Sequence, residues 1–144
     1  MLDIPATQGA RIDISISRRN NRRMSRPHAV RRVKTYSAAT GYVYQYYFYE
    51  VQKTRRGFSA GREYVYMVSL DRRQVFPLRI FVKQSAVDRW GRSAGRKLSG
   101  TEEYAVAKLR LFQALDESQE IEAKQPDLII DESNLDNLLS QLDI

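Results

Sequence analysis

Three β-forming segments follow one another between Tyr42 and Lys83, and the chain between them is too short for anything but hairpins. Tyr42–Lys53, Arg62–Leu70 (REYVYMVSL) and Val75–Lys83 (VFPLRIFVK) are separated only by TRRGFSAG and DRRQ. Short polar connections of this kind join antiparallel neighbours, so the segments read as a meander. Pro77 has no N–H for a ladder, which places the start of the third segment at an edge or a bulge. Upstream, ARIDISIS (Ala10–Ser17) alternates Ile12, Ile14 and Ile16 with Asp13, Ser15 and Ser17, the pattern of one more half-buried strand.

After Lys83 the period changes. Ser85 can cap a helix carrying Val87, Trp90 and Ala94 at i, i+3 and i+7, with Gly95 as its stop. Ser99 and Glu102 have capping-box spacing and open a longer helix to about Glu117. Its wide apolar set, which includes Tyr104, Ala107, Leu111, Phe112 and Leu115, suits a lid lying across the sheet. The expected fold class is α+β: an antiparallel β-meander of three to four strands followed by two helices, with a basic N-terminal arm and an acidic C-terminal tail.

Charge divides the chain more sharply than hydropathy does. The net charge of +7 hides nine Lys/Arg against two acids in residues 1–34, fourteen against seven in 35–116, and one against eight in 117–144. Three parts follow: an N-terminal strand with an Arg-rich arm (1–34), an α+β core domain (35–116), and an acidic linker with a short amphipathic leucine helix (117–144). In that helix Leu135, Leu138, Leu139 and Leu142 fall at i, i+3, i+4 and i+7, and Ser133 or Asp131 can cap it. So short a helix does not persist alone in water, so its leucines dock on a protein partner or on the chain's own body.

Several chemistries are excluded on composition. There is no cysteine, hence no disulfide, thiolate ligand or thiol nucleophile. The only histidine, His28, lies in the basic arm, and no nucleophile elbow or P-loop occurs. Glu102 and Glu103 read as ordinary first-turn acids. The expectation is a binding protein without catalysis, cofactor or metal. Lacking a signal peptide and any apolar run of membrane-spanning length, it reads as cytoplasmic.

The cations point to a polyanion. Arg18, Arg19, Arg22, Arg23, Arg26, Arg31 and Arg32 crowd the arm, and guanidinium forks match phosphate oxygens. Arg55 and Arg56, with Lys53 and Arg62 as flanks, surround the first hairpin connection. Arg96 and Lys97 precede a helix N-terminus as a second anion site.

GYVYQYYFYE (41–50) admits two readings. Its rings pack against the helices and the neighbouring strand, or Tyr44, Tyr46 and Tyr47 offer stacking faces to bases. Arg56-Gly57-Phe58-Ser59-Ala60 shares the opening of an RNA-recognition signature and then departs from it, so that match carries no weight.

The expected partner is nucleic acid, single-stranded or structured RNA favoured over a sequence-specific duplex, with the acidic tail competing for the basic body. The alternative is a protein-interaction adaptor docking through Leu135, Leu138, Leu139 and Leu142, its basic surface facing an acidic protein.

Overall fold

The computed structural model describes residues 32–144. ARIDISIS, His28 and Arg18, Arg19, Arg22, Arg23, Arg26 and Arg31 therefore lie outside the described residues. Among the described residues one sheet runs in chain order: β1 (Lys34–Ser37), β2 (Val43–Arg56), β3 (Ser59–Leu70), β4 (Val75–Lys83) and β5 (Asp127–Ile130). The first four pair antiparallel and β5 lies parallel to β4. Helices α1 (Gln84–Ala94), α2 (Gly100–Glu117), α3 (Ile121–Lys124) and α4 (Leu135–Gln141) complete an α+β fold in which helices follow a mostly antiparallel meander. None is long and apolar enough to cross a membrane.

The hairpins are tighter than the sequence suggested. TRRGFSAG is not a loop: β2 continues to Arg56 and β3 starts at Ser59, leaving Gly57-Phe58 as a two-residue turn. Gly57 at φ +63° supplies the first position of such a turn without a Cβ penalty. Between β3 and β4, Asp71 and Arg72 both take positive φ, 54° and 60°. Arg73 N donates to the Leu70 carbonyl at 3.1 Å, and Arg72 N to Oε1 of the buried Gln45 at 2.8 Å. Arg72 does not favour that conformation, so replacing Asp71-Arg72 by Asn-Gly raises the unfolding free energy by about 1 kcal/mol. Chemical denaturation measures this directly.

A bulge sets the faces of β2. Phe48 pairs with Tyr66 and Glu50 with Val65, so Tyr49 is the extra residue. Strict alternation would keep Glu50 with Tyr44 and Tyr46. The bulge instead puts Glu50 opposite Val65, and Val51 opposite Tyr64 on the helix-covered face. Pro77 falls in the part of β4 that precedes its pairing with β5, which begins at Arg79. Its missing donor therefore costs no bond to that strand.

The main core lies between the sheet and the helices. Tyr44, Tyr66, Leu78 and Ile80 from the strands meet Val106, Leu111 and Leu115 of α2. On the sheet's other face Tyr47, Tyr49, Val65 and Met67 form a smaller cluster with Val33 and Val75 at its edge.

α2 has the expected capping box. Ser99 Oγ accepts from Glu102 N at 3.1 Å and the Glu102 carboxylate accepts from Ser99 N at 2.9 Å. α1 differs from expectation. Its N-cap position is Lys83, without a side-chain cap, and Ser85 lies inside the helix, donating to Glu132 Oε2 at 2.7 Å. Ala94 is exposed, so only Val87 and the half-buried Trp90 of the expected stripe face inward.

Two short strands escaped the sequence reading. β1 is held by Tyr36, whose ring stacks on Phe112 at 4.1 Å and whose hydroxyl donates to Asp116 at 2.8 Å. β5 emerges inside the acidic stretch, burying Leu128 and Ile130. Residues 117–144 are thus built into the body. Leu135, Leu138 and Leu139 are buried in the main core and Leu142 packs against it. Asp131 and Ser133 do not cap α4 by side chain; Asp131 Oδ1 instead accepts from Ser133 N and Oγ in a turn ahead of it.

Candidate functional site

β2 and β3 extend past the main core, and their pairing decides what the overhang displays. Lys53 lies opposite Arg62 and Arg55 opposite Ala60. Directly opposed residues share a face, as do residues two apart, so Lys53, Arg55 and Arg62 stand together.

Arg62 is fixed from behind. Its Nε donates to Glu103 Oε2 at 2.8 Å and its Nη2 to Glu103 Oε1 at 2.9 Å, a bidentate pair. Tyr64 donates its hydroxyl to Glu103 Oε2 at 2.9 Å. Glu103 is 2% exposed, while a third of the Arg62 side chain remains open. The hydrogen bonds to Glu103 raise the Arg62 pKa further, so its charge is permanent. Burial first, and then the Glu103 charge, push the Tyr64 phenol up, which keeps it a neutral donor.

α1 forms the opposite wall with Asp88 and Arg92. Gly95, at φ +76°, ends α1 with its N–H on the Gly91 carbonyl and turns the chain into Arg96-Lys97. Arg96 lies over the Trp90 ring at 5.0 Å and forks onto Glu102 at 2.9 and 2.8 Å. That fork, before the backbone bond from Ser99, holds the Glu102 carboxyl down at about 2, from an ordinary 4.5. Because the folded value is the lower one, the pair contributes stability above pH 4.5 and loses it as pH falls toward 2. Carboxyl NMR across that window should show Glu102 still ionised well below pH 4.5 and titrating toward 2.

These pieces join. One open hollow of about 620 Å³ lies against Arg62, Gln84, Arg92, Arg96 and Lys97. A second, of about 630 Å³, lies against Lys53, Arg55, Gly61, Arg62 and Gln84. They share Arg62 and Gln84, and so form one furrow from the hairpin to the α1–α2 connection. At Gly61 β3 lies so close to β4 that a Cβ would run into the Val82 carbonyl oxygen and the Phe81 ring. Six cations face the furrow: Lys53, Arg55, Arg62, Arg92, Arg96 and Lys97. On its walls they meet one carboxylate, Asp88, which accepts from Gln84 at 2.9 Å. Lys53, Arg55, Arg92 and Lys97 have no carboxylate partner among the described residues.

The sequence-expected site residues are distributed differently. Arg55 lines the furrow, whereas Arg56 is drawn off to Glu63 at 2.8 Å and Asp127 at 3.7 Å, over the Phe81 ring at 4.9 Å. Arg32 is exposed ahead of β1. Tyr44, Tyr46 and Tyr47 are 0%, 5% and 4% exposed, so they offer no stacking face. Tyr44 and Tyr46 fill the main core, where Tyr46 packs edge-on against Phe112 at 5.5 Å, and Tyr47 fills the smaller cluster. Leu135, Leu138 and Leu139 are likewise spent on the core, which leaves no leucine stripe for a partner. Among the described residues the tail acids that reach cations of the body meet Arg56 and Lys83, with Glu132 at 3.5 Å from the latter, and not the furrow.

Sequence reasoning placed Lys53, Arg55 and Arg62 about the hairpin connection and Arg96 and Lys97 at a separate helix N-terminus, and it did not single out Arg92 or Gln84. Comparison with known proteins finds no family model, no curated protein and no solved structure that matches this chain.

Proposed function

We propose that this protein is a non-enzymatic nucleic-acid-binding protein that holds a run of phosphates along the furrow. The observation that carries the reading is the gathering of Lys53, Arg55, Arg62, Arg92, Arg96 and Lys97 along two hollows that share Arg62 and Gln84. A line of cations suits a polymer of regularly spaced charges better than a single small anion. Arg62 and Arg96 serve as pre-positioned donors, since their forks are already held by Glu103 and Glu102 and lose little freedom on binding. Lys53, Arg55, Arg92 and Lys97 supply charge that no carboxylate among the described residues neutralises.

Among the described residues no element combines the cations with a recognition-helix pattern, so the reading favours single strands or structured RNA over sequence-specific duplex. The arginines Arg18 to Arg32 add cationic charge suited to the same class of partner.

The test is fluorescence anisotropy of labelled single-stranded and duplex oligonucleotides at several salt concentrations. Replacing Lys53, Arg55, Arg92 and Lys97 together by Gln should weaken binding at least about tenfold. It should also lower the log–log salt slope for single strands by about 3, at roughly 0.7 per lost phosphate contact. Stability should move little, within about 0.5 kcal/mol per site, because these are surface positions with no carboxylate partner among the described residues. An unchanged affinity and slope would remove the furrow from the function.

A further inference from the structure

Phe58 is the large apolar side chain that the described residues leave wholly in water, at 101% relative exposure; the next, Val51, stands at 42%. It occupies the second position of the two-residue turn between β2 and β3, where Gly57 already supplies the positive φ. Turn chemistry does not ask for a ring there, since Gly, Asn, Asp and Ser are the residues such turns favour. The turn at Asp71-Arg72 is polar throughout. Packing does not ask for it either, because the ring touches no core.

The ring's surroundings are cationic. Lys53 and Arg55 lead up to the tip along β2, and Arg55 Nη1 donates to the Phe58 carbonyl oxygen at 3.4 Å. The furrow thus ends beside an exposed aromatic. Surfaces that grip single strands combine a cationic track for the backbone with rings on which bases stack.

We propose that Phe58 stacks on an unpaired base of a strand whose phosphates lie in the furrow. The proposal rests on the nucleic-acid reading above and adds the group that tells a free base from a paired one. A duplex hides its base faces except at its ends, so the hairpin tip biases the protein toward single strands and loops. A lone ring beside arginines also suits an anionic lipid surface. The remaining cations, however, line a concavity that a flat bilayer does not enter, and this favours a threadlike polyanion.

The experiment titrates the full chain, Phe58→Ala, Phe58→Trp and the four-site furrow variant against fluorescein-labelled oligothymidylate. The same strand is then presented as a duplex, and vesicles of phosphatidylglycerol and phosphatidylcholine form a third arm. Phe58→Ala should lose about 5- to 100-fold in single-strand affinity, at 1–3 kcal/mol per stacked base and 1.4 kcal/mol per tenfold, with its salt slope intact. Its duplex affinity should be unchanged. Phe58→Trp should retain affinity, and its added tryptophan emission should be quenched on binding.

If Phe58→Ala binds oligothymidylate like the parent, or the added tryptophan is not quenched, stacking at the tip is wrong and the phosphate furrow stands without it. If the parent fails to bind at low salt, the nucleic-acid reading itself falls; if the furrow variant keeps its full salt slope, the phosphates do not lie in the furrow and the proposal falls with it. Phe58→Ala losing vesicle binding alone would assign the tip to lipid and overturn the proposal.

Discussion

A chain from which residues 127–144 have been deleted loses its cooperative unfolding transition. This segment contributes Leu128, Ile130, Leu135, Leu138 and Leu139 to the core, each 4% exposed or less. Burying one such side chain stabilises by about 1.5–3 kcal/mol, so the five together amount to roughly 10 kcal/mol. Whole domains hold only about 5–15 kcal/mol in reserve. The deletion also strips β5 from β4, exposing the backbone groups that pair Arg79–Val82 with Asp127–Ile130. Leu138→Ala is the graded version of the same experiment. It should cost about 2–5 kcal/mol, the range for truncating a well-packed leucine. Circular dichroism melts read both variants. A truncated chain that melts cooperatively near the parent temperature would show the segment to be an appendage. The deletion cannot therefore serve as a test of competition between the acidic tail and nucleic acid, because what it removes is the core.

Arg62→Ala should cost about 3 kcal/mol, the lower end of the range for leaving a buried charge without its partner. Glu103, 2% exposed in the parent, keeps only the Tyr64 hydroxyl in that variant. The lower end applies because Arg62 is itself a third open, so part of its charge is already solvated. Exchanging both partners, Arg62→Met with Glu103→Leu, should lose much less than the two single changes added together, since no charge is left behind. A double-mutant cycle in urea measures the difference. A coupling energy near zero would mean that the pair does not hold the furrow wall. The double variant also separates structure from binding, because it should fold yet bind polyanions less well than the parent.

The fold class was legible because β-forming runs with short polar links admit few arrangements, and because Ser99 and Glu102 announce α2 by spacing alone. β1 and β5 were not legible. KTYS and DLII are each four residues, too short to carry a period, and they are strands because of what they meet. Tyr36 finds Phe112 and Asp116, eighty residues away in the case of the hydrogen bond. The two-faced aromatic content of β2 was visible, but the bulge at Tyr49, which decides which side chains share a face, was not. Half of the furrow was within reach of the sequence. Once the turn is placed at Gly57-Phe58, Lys53 must oppose Arg62 and Arg55 must oppose Ala60. Its meeting with Arg92, Arg96 and Lys97 was not, because that depends on how α1 packs across the sheet. Glu103 misled for a similar reason: a first-turn acid ordinarily faces water, and only the packing of α2 on β3 brings it against Arg62 and Tyr64.

The parallel pairing of β5 with β4 has a consequence for synthesis. β4 is among the most apolar strands of the sheet, and its outer edge is closed only when Asp127–Ile130 arrive, after three helices have intervened. A ribosome adds about 5–20 residues per second, so for seconds the emerging chain carries VFPLRIFVK as an unpaired edge. Open edges of that composition recruit other strands. Non-local parallel pairing is also slow to form, because the loop must close before any ladder bond repays it. Yield of soluble protein should therefore depend on what shields this edge during translation more than on the stability of the finished fold.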